Sequence, residues 1–290
     1  MKKTILVLSL FLFACSQEIP LTAVPFIPPT VPPTDASLPT PSAIAEILPT
    51  TEVFAPAAAL PAGPVTLVAL GDSLTQGDGD DSGRGYPGRL LEMIGTVRAD
   101  SEMTNLGRSG WSSDALINGD QGLLGQLSRA VSELDAARSQ GRGAVALVWI
   151  GSNDLWYLYE YGEGSDENDA LDAERFSANM DLIISQLRKT GAQVVIALLD
   201  DQTKRPVAIK GEAFPSITSD ELERMSAQVE LYNQIITEKA DQYGALTVDF
   251  YSSDLFTDPE TLYDDGNHPN SAGYDIIAQK WFDVLQSLLN

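Results

Sequence analysis

Cysteine, histidine and positive charge are all scarce in this 290-residue chain: one cysteine, one histidine, and 18 Lys and Arg against 41 Asp and Glu. A lone cysteine forms no internal disulfide, and a lone histidine cannot build the His/Cys cluster that holds zinc. No zinc site is therefore expected, and no metal or cofactor is assigned. A formal charge of -23 repels phosphate backbones and anionic lipid, which excludes nucleic acid as an expected partner. Long apolar runs are missing too. The stretch from Ile5 to Ala14 is far shorter than the about 20 residues that a membrane-crossing helix needs.

What is present begins with an export signal. Lys2 and Lys3 precede that short apolar run, the pattern of a secretory signal peptide. Leu12-Phe13-Ala14-Cys15 resembles the lipobox of bacterial lipoproteins, which implies a signal over residues 1–14 and lipidation of Cys15. The expected location is a membrane anchor facing the periplasm or cell exterior, with plain secretion as the alternative. From Pro20 to Pro64 lie most of the chain's 17 prolines and no Lys or Arg. Such a segment favours extended polyproline conformations, so residues 15–64 are expected to form a tether.

Beyond Pro64 short β-branched runs alternate with long amphipathic ones. Strands are expected at 65–70, weakly within 96–105, and at 144–150, 193–199 and 245–250. Helices are expected around 86–94, 123–138, 174–190 and 220–243, with another closing the chain. With 43% hydrophobic residues a real core is affordable, and the alternation indicates a parallel sheet covered on both faces. Residues 65–290 are read as one α/β domain.

Ligands in such sheets sit beyond the carboxyl ends of the strands. Four stretches fall there: Gly71-Asp72-Ser73-Leu74, the 105–113 segment NLGRSGWSS, Gly151-Ser152-Asn153-Asp154, and Asp265-Gly266-Asn267-His268-Pro269. Each alone reads as a helix cap or a turn. Ser73 could begin a helix or act as a nucleophile.

In this order, the four stretches resemble the motif blocks of the SGNH, or GDSL, hydrolases. The resemblance runs from Val65 to the last helix. It implies a three-layer α/β/α, flavodoxin-like fold with a five-stranded parallel sheet in the order 2-1-3-4-5. It also implies an esterase chemistry with Ser73 as nucleophile, His268 as base and Asp265 as its partner, the family's Asp-x-x-His spacing selecting Asp265 over Asp264. The oxyanion donors it implies are the backbone N–H of Ser73, that of Gly110 with Gly107 as competitor, and the Asn153 amide.

The residue types suit that chemistry. A serine hydroxyl needs a base, imidazole is fitted to the task, and a carboxylate orients the imidazole. Asp72 is expected to be a structural hydrogen-bonding residue. The acidic stretch at 78–89 begins like a calcium loop but has Arg89 at its twelfth position, where an EF-hand needs glutamate. It is read as a solvated loop, and 163–174 as a solvated insertion. Aromatic residues after Asn153, Trp156 and Tyr159 above all, are expected to line the substrate cleft. The expected partner is a small-molecule or glycan ester with a short acyl chain, met by a monomer. Lysophospholipid and thioester substrates are the alternatives, and a tethered binding module without turnover is the rival from another class.

Overall fold

Runs such as VTLVAL and AVALVW have no polar face to offer solvent, so they fold only where both sides are covered. In the computed structural model, which describes residues 54–162, 164–211 and 215–290, they are two adjacent interior strands. Strands β1 (Val65–Gly71), β2 (Glu102–Asn105), β3 (Gly143–Trp149), β4 (Gln193–Leu198) and β5 (Leu246–Asp249) pair in parallel in the order β2-β1-β3-β4-β5. Every residue of β1 and β3 is buried, whereas the edge strand β2 has four residues and no buried position. Its shortness explains why its sequence signal is weak.

Nine α-helices are formed by the described residues: α1 (Ser73–Gln76), α2 (Gly85–Val97), α3 (Ser113–Asn118), α4 (Gln126–Ser139), α5 (Ser152–Tyr161), α6 (Asp166–Lys189), α7 (Pro206–Lys210), α8 (Ser219–Tyr243) and α9 (Ser271–Leu289). Helices α2 and α9 pack together on one side of the sheet, and α4, α6 and α8 form a second layer. An aromatic stack fills the space under α2 and α9, with Trp149 on Phe250 at 4.2 Å and Tyr86 on Trp281 at 5.4 Å between ring centroids. Such stacked pairs contribute beyond the area they bury. No helix among the described residues is long and apolar enough to cross a membrane.

Three segments differ from the sequence expectations. The 163–174 stretch is mostly helix, because Ser165 caps α6 by accepting from the Asn168 N–H, and Asp166, Glu167 and Asp169 favour the positive end of the helix dipole. The 78–89 stretch is solvated at residues 81–84, as expected, but is organised around a buried carboxylate. Asp80 accepts from Arg89 Nη1 at 2.5 Å, Ser271 Oγ at 2.7 Å and the Gly85 N–H at 2.8 Å. Burial opposes its charge, but these donors outweigh it and hold the carboxyl far below its usual range. Residues 54–64, expected within the tether, lie against the domain: the Leu60 N–H donates to Leu288 O at 2.8 Å, and Phe54 meets Tyr243 edge-on at 5.2 Å. Cys15, the signal and the rest of the tether lie outside the described residues.

Candidate active site

The site is built where β1 ends. A Cβ on Gly71 would lie 2.2 Å from Trp149 O and 2.3 Å from Thr75 Oγ1, at φ +158, so only glycine lets the strand turn so tightly against β3. The Gln126 amide clamps the same residue, accepting from its N–H and donating to its C=O, both at 2.8 Å. Asp72 then caps α1, accepting from the Leu74 N–H at 3.0 Å. Ser73 follows as the first helical residue. Asp72 is thus the structural hydrogen-bonding residue expected, but an unusual one. Burial raises its carboxyl to about 7, against the Leu74 hydrogen bond and the Arg205 charge, which lower it. Its Oδ2 and the Ser152 hydroxyl are both buried with no hydrogen-bond partner among the described residues.

Opposite Ser73 stands the loop before α9. His268 Nε2 lies 3.0 Å from Ser73 Oγ, and His268 Nδ1 lies 2.6 Å from Asp265 Oδ2. The backbone N–H groups of Asn267 and His268 donate to Asp265 Oδ1 at 2.8 and 2.9 Å. Burial raises the Asp265 carboxyl, but the His268 ring and these two N–H groups outweigh it and hold it below the usual carboxylate value. Asp265 is therefore held as an anion placed to accept a hydrogen bond from Nδ1–H.

The third side comes from the loops after β2 and β3. Asn105 ties the first of these to α1, donating to Thr75 O at 2.8 Å and accepting from the Gly107 N–H at 2.9 Å. Gly107 is pressed on α1, where a Cβ would stand 2.4 Å from Gln76 N. Gly110 instead lines the cleft, with φ +76 and its carbonyl accepting from the Tyr157 hydroxyl at 2.7 Å. Asn153, in the first turn of α5, stands beside it, its amide nitrogen donating to Trp111 O at 3.0 Å. Next to Asn153, Asp154 is buried under the Ser113 N–H and hydroxyl, at 2.8 and 2.5 Å, and under Arg175 at 3.1 Å. It joins the two loops.

Together these residues enclose a cleft of about 300 Å³ in which Ser73, His268, Gly110 and Asn153 share the lining. Trp156 contributes an edge of its nearly buried ring. Tyr159 does not reach the cleft. It is 1% exposed and its hydroxyl donates to Asp169 Oδ1 at 3.1 Å, so it belongs to the packing between α5 and α6. Tyr157 and Tyr161, one helical turn apart, line the cleft in its place. Arg205 was invisible to motif reading, because a single Arg before Pro206 carries no signal of its own. It also lines the cleft, its side chain 2% exposed and forked on Asp200 at 2.8 and 2.6 Å.

Comparison with known proteins places this chain in a family. The chain is 21% identical over 259 residues to a multidomain esterase of Ruminococcus flavefaciens, across 81% of this chain but 30% of that longer protein's length. It is 25% identical over 236 residues to an uncharacterized protein of Bacillus subtilis strain 168, YpmR, covering 77% of this chain and 82% of that one. Two solved structures share the fold at 18% identity. They are the psychrotrophic esterase EstA of a Pseudoalteromonas species, with TM-score 0.52 over 78% of this chain and 98% of that one, and the lipase Lip_vut3 of a goat rumen metagenome, with TM-score 0.55 over 78% and 100%. The family model of the GDSL-like lipases and acylhydrolases matches residues 69–276, from within β1 into α9 and so across every loop that meets at Ser73. The chain belongs to the GDSL-like lipase/acylhydrolase family.

Proposed function

We propose that the protein is a serine ester hydrolase that works through an acyl-enzyme on short-chain or carbohydrate O-acyl esters. The observation that carries this reading is the chain Ser73 Oγ, His268 Nε2, His268 Nδ1, Asp265 Oδ2, with steps of 3.0 and 2.6 Å across the ring. With Nδ1–H donating to Asp265, Nε2 has a lone pair facing the serine hydroxyl.

As Ser73 Oγ bonds to the ester carbonyl carbon, its proton passes to Nε2, and the carbonyl electron pair moves onto oxygen. Collapse of that intermediate expels the alcohol, which takes the proton from Nε2 and leaves Ser73 acylated. Water then gives a proton to Nε2 and its oxygen to the acyl carbon; the Ser73 C–O bond breaks, the acid departs and Ser73 recovers its proton. Asp265 stabilises the imidazolium in both halves without being protonated itself.

The oxyanion donors are the N–H groups of Ser73 and Gly110 and the Asn153 amide. Of the two N–H bonds of that amide, one is spent on Trp111 O and fixes the plane, leaving the other for the oxyanion. The test is labelling by a fluorophosphonate, which requires an activated serine, followed by hydrolysis of esters that vary in acyl length and in alcohol. A protein that resists the label and leaves every ester intact is not this enzyme. The lipid anchor at Cys15 is a separate proposal carried by the sequence. Palmitate incorporation in a bacterial host, lost in Cys15→Ser, supports it, and an unlabelled protein free outside the cell overturns it.

A further inference from the structure

Three hollows meet at Tyr157 and Tyr161. One is the cleft over Ser73; a second, of about 430 Å³, shares Ser109, Gly110 and both tyrosines with it; a third, of about 440 Å³, runs from the same tyrosines past Leu171 and Arg175. We infer that the second hollow is the alcohol subsite of the enzyme and takes a neutral, polyhydroxylated leaving group, a sugar unit of an O-acylated glycan. This inference rests on the reading of Ser73 as the nucleophile of an ester hydrolase.

The chemistry of the walls carries it. Beyond the shared residues the hollow is lined by Ser112, Asp114, Asn118, Asp120 and Gln121, with no Lys or Arg among the lining residues. The carboxylates accept, and the amides and serine hydroxyls both accept and donate, which together match the hydroxyls of a sugar. An alkyl chain seated there would strip these groups of water and return no hydrogen bond. A phosphate or carboxylate would meet two carboxylates and no cation among the lining residues, the nearby Arg175 being already engaged by Asp114, Asp154 and Asp172. Asp114 is held in place by an ion pair with Arg175. A neutral ligand rich in hydroxyls is what remains.

The tyrosines add a platform. Tyr161 is 77% exposed, and its ring lies 5.8 Å from Tyr157 at 36°. Tyr157 is itself anchored through its hydroxyl to Gly110 O, so the ridge that divides the two hollows is tied to a proposed oxyanion residue. A flat apolar face with polar groups around it fits the C–H face of a pyranose, as aromatic side chains serve surfaces that are apolar at one end and wet at the other. The volume lies within the range of small-ligand sites. Leu74 and Trp156, the apolar side chains in the cleft itself, are left for a short acyl group.

The experiment compares an acetylated methyl glycoside with p-nitrophenyl acetate, which share the acyl group and differ in the alcohol. The ratio of the two kcat/KM values should fall roughly tenfold in Tyr161→Ala and in the double variant Asn118→Ala/Gln121→Ala, the loss expected on removing a stacking face or one to two hydrogen bonds. In parallel, xylo- and cello-oligosaccharides are titrated calorimetrically into the inactive Ser73→Ala protein. One or both should bind, and Tyr161→Ala added to that background should weaken the binding by a similar factor. A ratio that stays within twofold, with oligosaccharide binding absent or indifferent to Tyr161, overturns the subsite while ester hydrolysis stands. Loss of the hydrolase reading looks different: no ester is cleaved and no fluorophosphonate is incorporated, whatever the oligosaccharides do.

Discussion

Arg205 Nη1 donates to the side-chain oxygen of Asn267 at 2.8 Å, one residue before His268. The same guanidinium grips Asp200, just beyond β4, and lies 4.4 Å over the Phe256 ring. A further tie runs from the Val207 N–H to Gly266 O at 3.1 Å. The histidine loop is thus strapped to the sheet by a buried planar fork. Lysine cannot reproduce such a fork, since it offers a point charge on a flexible stem. Arg205→Lys should lower kcat about 10- to 100-fold with a smaller change in KM, as misplacement of a reacting group by fractions of an ångström does. Steady-state kinetics on one soluble ester decide it, and a wild-type kcat would remove Arg205 from any positioning role.

The hydrogen-bonded chain at Ser73 makes a sharper demand. Ser73→Ala and His268→Ala should each abolish nearly all turnover, and the double variant should be no worse than either, because residues that act as one unit are not additive. Asp265→Asn should cost a factor of about 10 to 10⁴, through the wrong tautomer and a lost anion. His268→Ala with near wild-type kcat would sink the assignment.

Asp72 gives a pH prediction. Its carboxyl is raised from 3.8 to about 7 in the folded protein, first by burial. Between those values the folded state keeps a proton that the unfolded chain gives up. Its contribution to stability is therefore fully present below pH 3.8 and is lost as pH rises through about 7. Asp72→Asn keeps an oxygen for the Leu74 N–H and has nothing to ionise. Its stability relative to wild type should improve by roughly 2–4 kcal/mol between pH 4 and pH 8, at about 1.4 kcal/mol per unit. Denaturant unfolding at the two pH values measures this; parallel curves would refute it.

The Arg89 pairs separate buried from exposed charge. Asp80 is enclosed, whereas the side chain of Asp275, the other partner of Arg89, is 68% exposed. Asp80→Asn should destabilise by about 3–5 kcal/mol, since it leaves a buried guanidinium short of its counter-charge. Asp275→Asn should cost no more than about 1 kcal/mol. A Cβ on neighbouring Gly79 would lie 3.0 Å from His268 Cβ, so the Asp80 variant should also lose activity at temperatures where it remains folded. Equal melting temperatures for the two variants would contradict this account.

On α5 the aromatics should divide by face. Tyr159→Phe should lower Tm, by the loss of about one hydrogen bond, and leave KM unchanged. Trp156→Ala should raise KM. A KM effect from Tyr159→Phe would place that ring back at the cleft.

Much was legible without coordinates because its causes are local. The β-branched runs of β1, β3, β4 and β5 announce strands wherever they fold, and the four motif blocks name Ser73, Asn153, Asp265 and His268 by residue type and order. Less legible was the extent of α6: an acidic, polar stretch looks solvated until Ser165 is seen to cap it. The buried role of Asp80 was hidden for a related reason, since Ser271, which helps enclose it, lies 191 positions away in the chain.

The sequence by itself determined which residues could do chemistry and that they would sit at the carboxyl ends of parallel strands. Only the tertiary structure decided how they meet. Ser73 and His268 are separated by 195 positions, and their 3.0 Å approach exists because β1 lies inside the sheet beside β3 while Arg205 and Gly266 hold the last loop near its end. Likewise, α5 carries four aromatic residues, Trp156, Tyr157, Tyr159 and Tyr161, that look alike in sequence. A helix turns about 100° per residue, so positions 157 and 161 share a face that 159 does not. Which face met the cleft was settled by packing: Leu155 and Tyr159 went into the core beside α6, and Tyr157 and Tyr161 were left at the cleft.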